Sequence, residues 1–148
     1  MNWNSCWRVH RTRVTLLQYL SGTLRNGTRR VLGHVEYMDA LMRTVDLVVL
    51  PSYYGEGVPR GLIEAAAMGL PIVTTDAPGC REIVDDGVNG FLVPVKDERA
   101  LARKIEYLLE NPEVCQRFGA AGRQKVLEEF DEQIVFQKTW AVYLAAGF

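Results

Sequence analysis

The middle of the chain alternates short apolar runs with helical segments, and this alternation is the feature that most limits its fold. The runs "DLVVL", "PIVTT" and "FLVPV" are strand-sized, and "PRGLIEAAAMG" lies between the first two as a helix-like segment. Continuous apolar runs are typical of strands buried on both faces of a parallel sheet. The sequence therefore predicts right-handed βαβ units, with helices flanking a parallel sheet of roughly three or four strands.

Other elements extend this pattern in both directions. "RVLGHV" predicts a further strand, "YMDALMRTV" a helix, and "CREIV" a short helix after a loop. Pro59 is a favoured first residue of a helix, and Gly69 is a plausible cap at its end. Asp97 is predicted to cap "ERALARKIEYLLEN", Pro112 to open a second helix, and "DEQIVFQKTWAVYLAA" to form a third. The fold class is thus α/β, Rossmann-like, with a helical C-terminal end.

Charge divides the chain into two segments. Six of its 17 basic residues and none of its 18 acidic residues lie in residues 1–30, so this opening carries +6 and the remainder −7. We therefore separate an Arg-rich leader (1–30) from one domain (31–148). The leader has the composition of a targeting peptide, of a patch for an anionic surface, or of poorly specified sequence at a truncated start.

Composition excludes several classes of protein. With 148 residues, 48% hydrophobic and 24% charged, the chain suits one ordinary globular domain. No run approaches the ~18 apolar residues of a membrane span. The three cysteines have no metal-ligand spacing, and their odd number indicates reduced thiols and a cytoplasmic location. We predict no nucleic-acid partner, no cofactor and no metal.

A ligand site is expected where the predicted strands end. In an open parallel sheet, ligands bind beside the carboxyl ends of the strands, which places loops 51–58 and 76–80 side by side. The first loop leads into a helix start near Pro59, where unpaired N–H groups favour an anion. Gly55 and Gly57 permit close approach of the backbone to a ligand, which suits a diphosphate.

Two glutamates flank this helix start. Glu64 lies about two turns into the helix, and Glu56 lies on the loop before it. A carboxylate accepts hydrogen bonds from two neighbouring hydroxyls, such as those of a ribose, and a second carboxylate can accept from another sugar. Two sugars on either side of a diphosphate form a nucleotide-sugar. The alternative is that Glu64 is a solvated helix residue and Glu56 a solvated turn residue.

The stretch "LPSYYGEGVPRGLIEAAAMGLPIVTTDAPGCREIVDDGVNGFLVPVKD" resembles retaining glycosyltransferases of the GT-B class, family 4. The similarity is greatest to members that build capsule, O-antigen or lipid-linked oligosaccharides, and it extends from about Val31 to the C-terminus. It implies a hexosyltransferase that takes a sugar from a nucleotide-sugar, most often a UDP-sugar, and works without a metal. The sequence accordingly contains no DxD motif.

The resemblance also implies roles for individual residues. Glu64 corresponds to the residue that accepts the ribose hydroxyls, and Glu56 to the catalytic-site glutamate that contacts the transferred sugar. The remaining substrate-binding residues of this prediction surround the diphosphate and the sugar: Gly55, Gly57, Val58, Pro59, Arg60 and Gly79.

The sequence departs from that family in one respect. A GT-B enzyme has a separate N-terminal acceptor domain, and its donor domain opens with "GR" and "KG" segments that clamp the diphosphate, neither of which has a match here. We therefore expect a partial C-terminal donor-binding domain that is inactive alone. Three alternatives stay open: a split enzyme whose acceptor domain is on a separate chain, a non-catalytic nucleotide-sugar-binding module, and an inactive gene fragment. A lipid-linked acceptor would bring the protein to the inner face of the membrane.

Overall fold

A four-stranded parallel sheet is the centre of the fold. The computed structural model describes residues 14–16, 36–53 and 57–147, the first three by their backbone alone. In chain order the elements of this part are β1 (Val14–Leu16), α1 (Met38–Met42), β2 (Leu47–Leu50), α2 (Arg60–Ala67), β3 (Ile72–Thr75), α3 (Cys80–Ile83), β4 (Gly90–Val93), α4 (Glu98–Glu110), α5 (Pro112–Glu129) and α6 (Glu132–Ala145). The Rossmann-like arrangement of parallel strands and flanking helices is therefore confirmed.

The strands lie in the sheet in the order of the sequence. β1 pairs with β2, β2 with β3 and β3 with β4, each time in parallel. Right-handed crossovers that always step in one direction place their helices on one face of the sheet. The order therefore puts α1, α2 and α3 together on one face and leaves the opposite face to helices that follow β4.

The strand β1 is an element that the sequence did not predict. It lies inside the Arg-rich segment 1–30, for which we proposed no strand, and its register with β2 joins Val14 to Leu47. The strand predicted at "RVLGHV" lies outside the described residues. The division of the chain at residue 30 stays a prediction.

Two apolar cores enclose the sheet, one on each face. In β2 the side chain of Val48 belongs to the first core, while Leu47 and Val49 belong to the second. The first core is completed by α2 and α3, and the second by α4 and the start of α5. Burial of the strands on both faces explains their continuous apolar runs.

The predicted helix ends lie at the expected residues, except that one helix begins one residue later than predicted. The side chain of Asp97 accepts a hydrogen bond of 2.8 Å from the N–H of Ala100, and Pro112 is the first residue of α5. Gly69 follows α2 with a left-handed φ of 72°, as expected of a glycine that ends a helix. Pro59 is the residue before α2 rather than its first residue, and the helix begins at Arg60.

No helix in the described part of the chain is long and apolar enough to cross a lipid bilayer.

Helix α5 connects the two cores and approaches α2 very closely. Phe118 packs in the second core and Val126 in the first. Between them, a Cβ atom added to Gly119 would lie 1.9 Å from the backbone oxygen of Gly69. One turn further along α5, a Cβ atom at Gly122 would meet Ala66 at an ordinary 3.6 Å. The two helices can therefore touch at Gly119 because this residue has no side chain.

We expect Gly119→Ala to lower the free energy of unfolding by about 3 kcal/mol, because the overlap is with backbone and the helices must separate. Gly122→Ala is the matched control. It removes a glycine from the same helix without a clash, so its stability should be unchanged or higher by up to about 1 kcal/mol. Chemical denaturation of both variants tests the contact, and equal stabilities for the two would contradict it.

Candidate functional site

Three loops lie at the carboxyl edge of the sheet, of which the sequence analysis predicted the first two. They follow β2, β3 and β4 and start at Pro51, Asp76 and Pro94. Two hydroxyls at the end of β3 hold the first loop in place: Thr74 donates to the carbonyl of Leu50 at 2.7 Å, and Thr75 donates to the carbonyl of Ser52. These threonines are buried, and the sequence analysis gave them no role. The signal in the sequence that could have identified them was their position at the end of a predicted strand.

The start of α2 is open toward this edge. Pro59 precedes the helix, no side chain of the described residues caps it, and its first turn contains no acidic residue. A Cβ atom built on Gly57 would meet no described atom within 4 Å, so the space at this position of the backbone is open. N–H groups at a helix start without a side-chain acceptor favour an anion. The start of α2 therefore favours an anion in the described part of the chain, and the diphosphate site stays a prediction.

Glu64 and Arg60 form an ion pair on the exposed side of α2. The Nε of Arg60 lies 2.8 Å from an Oε1 of Glu64, one turn further along the helix. The Arg60 side chain is 90% exposed and that of Glu64 is 37% exposed. Exposed pairs of this kind contribute about 0.3–0.5 kcal/mol, so an incoming ligand can separate them at little cost. The structure thus brings together two of the residues predicted to bind substrate.

Two predicted residues cannot be placed relative to this pair. Gly55 and the predicted catalytic residue Glu56 lie outside the described residues. The arrangement of two carboxylates on either side of the helix start therefore stays a prediction for Glu56, while the position of Glu64 is described.

Gly79 lies on the second loop, immediately before α3. It is buried and has a left-handed φ of 83°, a conformation that favours glycine. Next to it, Arg81 donates from Nε to the carboxylate of Asp76. In the structure its guanidinium is bound to Asp76.

The third loop contributes a cation that the sequence analysis did not consider. Lys96 has a left-handed φ of 65°, and its Nζ lies 4.4 Å from the centre of the Tyr53 ring. Tyr53 is half-exposed on the first loop. Lys96 lies on the loop that begins at the end of β4, three residues after the strand, and this position was the signal that pointed to this edge.

Comparison with known proteins places the chain in a family. The sequence profile of the glycosyl transferases group 1 matches residues 17–125. The chain belongs to this family. The match begins upstream of residue 31, at which our predicted domain starts, so part of the Arg-rich segment is included in it. Its membership supports a GT-B glycosyltransferase, as the resemblance implied.

Two curated relatives illustrate the family. A glycogen synthase from Mycobacterium tuberculosis is 39% identical over 121 residues, which are 79% of this chain and 28% of the relative. A phosphatidyl-myo-inositol mannosyltransferase from Mycobacterium leprae is 36% identical over 116 residues, which are 77% of this chain and 31% of the relative. The chain thus spans about a third or less of the length of these group 1 transferases.

Solved structures agree with the fold. HepE from Anabaena, in complex with UDP, has a TM-score of 0.70 and 27% identity, covering 79% of this chain and 32% of that one. The C-terminal domain of LpcC, a group 1 glycosyltransferase from Francisella tularensis, has a TM-score of 0.62 and 25% identity, covering 68% and 53%. The chain therefore has the fold of the C-terminal domain of a GT-B transferase.

The contact between Arg81 and Asp76 has a measurable electrostatic effect. The hydrogen bond from Arg81 and its positive charge lower the pKa of the Asp76 carboxyl. We expect Arg81→Gln to raise this pKa toward the ordinary aspartate value, as measured by an NMR pH titration of the carboxyl carbon. Because the folded-state pKa is the lower one, the contribution of the pair to stability is present above the unfolded-state pKa and disappears as the pH falls through the folded-state value.

Arg103→Gln is the matched control for that titration, because it removes an exposed arginine of α4 that has no contact with Asp76. An unchanged Asp76 pKa in Arg81→Gln would show that the guanidinium does not bind this carboxylate in solution.

Proposed function

We propose that this chain is the donor-binding part of a retaining glycosyltransferase, which transfers a sugar from a UDP-sugar to a glycan or a lipid-linked acceptor. The donor binds at the carboxyl edge of the sheet, around the start of α2. Family membership supports the reaction class. The choice of UDP is supported by HepE, whose structures were determined with UDP, with UDP and glucose, and with UDP-glucose.

The observation that carries the proposal is the position of the Glu64 carboxylate. It lies one turn inside a helix whose start is open, and its contact in the described part of the chain is the exposed guanidinium of Arg60. A carboxylate that is partly exposed and held by a weak pair can accept two hydrogen bonds from a ribose diol without the cost of breaking a buried network. Glu64 therefore binds the ribose in this proposal.

The diphosphate lies at the helix start. The backbone of Gly57, Val58 and Pro59 and the first N–H groups of α2 surround it, and their partial positive charge compensates part of its negative charge. When the ribose engages Glu64, Arg60 is released and its guanidinium can bind a phosphate oxygen. Gly79, with its left-handed backbone, brings the second loop close to the ligand.

The transfer step follows from the leaving group. The bond between the sugar C1 and the phosphate oxygen breaks, and the acceptor oxygen forms a bond to C1 on the same face. The proton of the acceptor hydroxyl passes to the leaving phosphate oxygen, so neither glutamate acts as a general base. In this proposal Glu56 contacts the transferred sugar and orients it.

We expect Glu64→Ala to weaken UDP binding about 10- to 100-fold, because two hydrogen bonds to a charged group are lost. Isothermal titration calorimetry with UDP and with UDP-glucose measures this change. Glu106→Ala, which removes an exposed glutamate from α4, is the matched control and should leave the affinity unchanged. Equal affinities for Glu64→Ala and the parent chain would remove Glu64 from the site.

A second candidate function is a non-catalytic nucleotide-sugar-binding module that pairs with an acceptor domain on another chain. The last helix favours an interaction of this kind: α6 has no buried residue, and Phe136, Trp140 and Val142 are more than half exposed. Such a pairing, and a location at the cytoplasmic face of the membrane, stay predictions.

An assay of sugar transfer tests the activity of the chain alone. The 148 residues match only about a third of a GT-B transferase, so we expect the purified 148-residue chain to bind UDP-glucose without transferring glucose to added glycans, since orientation of the second substrate supplies much of the rate. Radiolabelled transfer measures this, with the parent chain and Glu64→Ala compared. Transfer by the parent chain with no partner added would contradict the expectation.

A further inference from the structure

A groove lies at the edge of the sheet opposite the candidate donor site. Helix α4 follows β4 and runs back along the sheet, so its second half and the start of α5 reach the amino ends of the strands. There, a cavity of about 270 Å³ opens beside the turn that precedes β4. We call it the cationic groove, and the lining residues used below are Gly87, Phe91, Lys104, Tyr107, Arg117 and Phe118.

Aromatic rings form the floor and one side of the cationic groove. The Phe91 ring meets the edge of Phe118 at 5.1 Å and of Tyr107 at 5.8 Å between ring centres, in both cases nearly perpendicular. Phe91 and Phe118 are buried, whereas Tyr107 is 45% exposed. The Phe91 ring packs against Tyr107, whose exposed side is available to a ligand.

Two cations lie over this floor. The Nζ of Lys104 lies 4.0 Å from the centre of the Phe91 ring, and the Cζ of Arg117 lies 5.6 Å from the centre of the Phe118 ring. The ion pairs found among the described residues involve other cations. A ring orients a cation over its face but does not neutralise it. The cationic groove therefore presents two positive charges that form no ion pair within 4.0 Å with a carboxylate of the described residues.

The shape and the chemistry of the groove together limit its ligand. Its volume of about 270 Å³ is just below the roughly 300–1,000 Å³ of ligand sites, which suits a single ring rather than a whole nucleotide. The C–H face of a sugar packs on an aromatic face such as Tyr107, and a carboxylate or phosphate binds ammonium and guanidinium groups. A Cβ atom at Gly87 would meet nothing within 4 Å, so the side next to the turn is open to a longer chain.

We infer that the cationic groove binds one anionic sugar unit of a glycan, a ring that bears a carboxylate or a phosphate. Lys104 and Arg117 bind the anionic group, and Tyr107 packs on the ring. The site is separate from the donor site, because it lies at the other end of the strands and shares no residue with the start of α2. It would hold an acidic glycan on the protein independently of the nucleotide-sugar.

The inference is tested by NMR titration of the 148-residue chain with four compounds: glucuronic acid, glucose 6-phosphate, glucose and inorganic phosphate. We expect saturable shifts of the Gly87 and Tyr107 amides with one or both anionic sugars. Glucose lacks the charge and phosphate lacks the ring, so each should bind at least about tenfold more weakly. Comparison of the titrations with glucuronic acid and with glucose 6-phosphate shows whether the groove prefers a carboxylate or a phosphate.

Variants then test the residues. In Lys104→Gln/Arg117→Gln the glutamine stems still cover the rings, and the affinity for the anionic sugar should fall at least about tenfold. The matched control Arg103→Gln removes an exposed cation of α4 outside the groove and should leave the affinity unchanged. Tyr107→Leu should reduce the affinity for the sugar to that for phosphate.

Three results would overturn the inference: the absence of saturable shifts with both anionic sugars, an unchanged affinity in the double variant, or phosphate binding as tightly as the anionic sugars. The last result would reduce the groove to a site for anions only. Titration of Glu64→Ala separates this inference from the proposed function, because the variant should lose UDP affinity and keep the affinity of the cationic groove.

Discussion

Burial of the strands on both faces is the constraint from which the rest of the structure follows. Val48 faces one core while Leu47 and Val49 face the other, so β2 needs a helical layer on each side. Parallel pairing supplies the first layer through crossover helices, and α4 and α5 supply the second. The same pairing sends the ends of β2, β3 and β4 to one edge. The candidate donor site is therefore a consequence of how the core is built, and the hydroxyls of Thr74 and Thr75 hold its first loop in place.

The elements that could be predicted are those whose local pattern and buried environment agree. The runs that became β2, β3 and β4 are mainly apolar, with the buried Thr74 and Thr75 at the end of β3. The caps at Asp97 and Gly69 are of residue types that favour helix ends. The strand β1 was not predicted because it has only three residues and lies among arginines, so its pairing with β2 decides its conformation rather than its own sequence.

The candidate site likewise has some features that could be predicted from the sequence and others that could not. Glu64 and the open start of α2 could be placed from spacing alone, because helix geometry fixes where a residue lies relative to the first turn. The contacts of Arg81 with Asp76 and of Lys96 with Tyr53 could not, since each depends on how two separate segments approach in space. Arg60 is an intermediate case: its spacing from Glu64 allows an ion pair on a helix, but it was predicted only as a ligand residue.

Helix α5 contributes to the cores on both faces of the sheet, with Phe118 in one and Val126 in the other. Gly119 packs against the backbone of Gly69, directly after α2. In a domain whose helical layers share no helix, one layer can unfold while the other stays folded. Here the single helix α5 packs in both cores, so neither layer can separate from the sheet unless α5 also loses its contacts with the other layer. Such a protein unfolds in one cooperative transition. A ligand that stabilises the start of α5 also stabilises α2, the helix that holds Glu64.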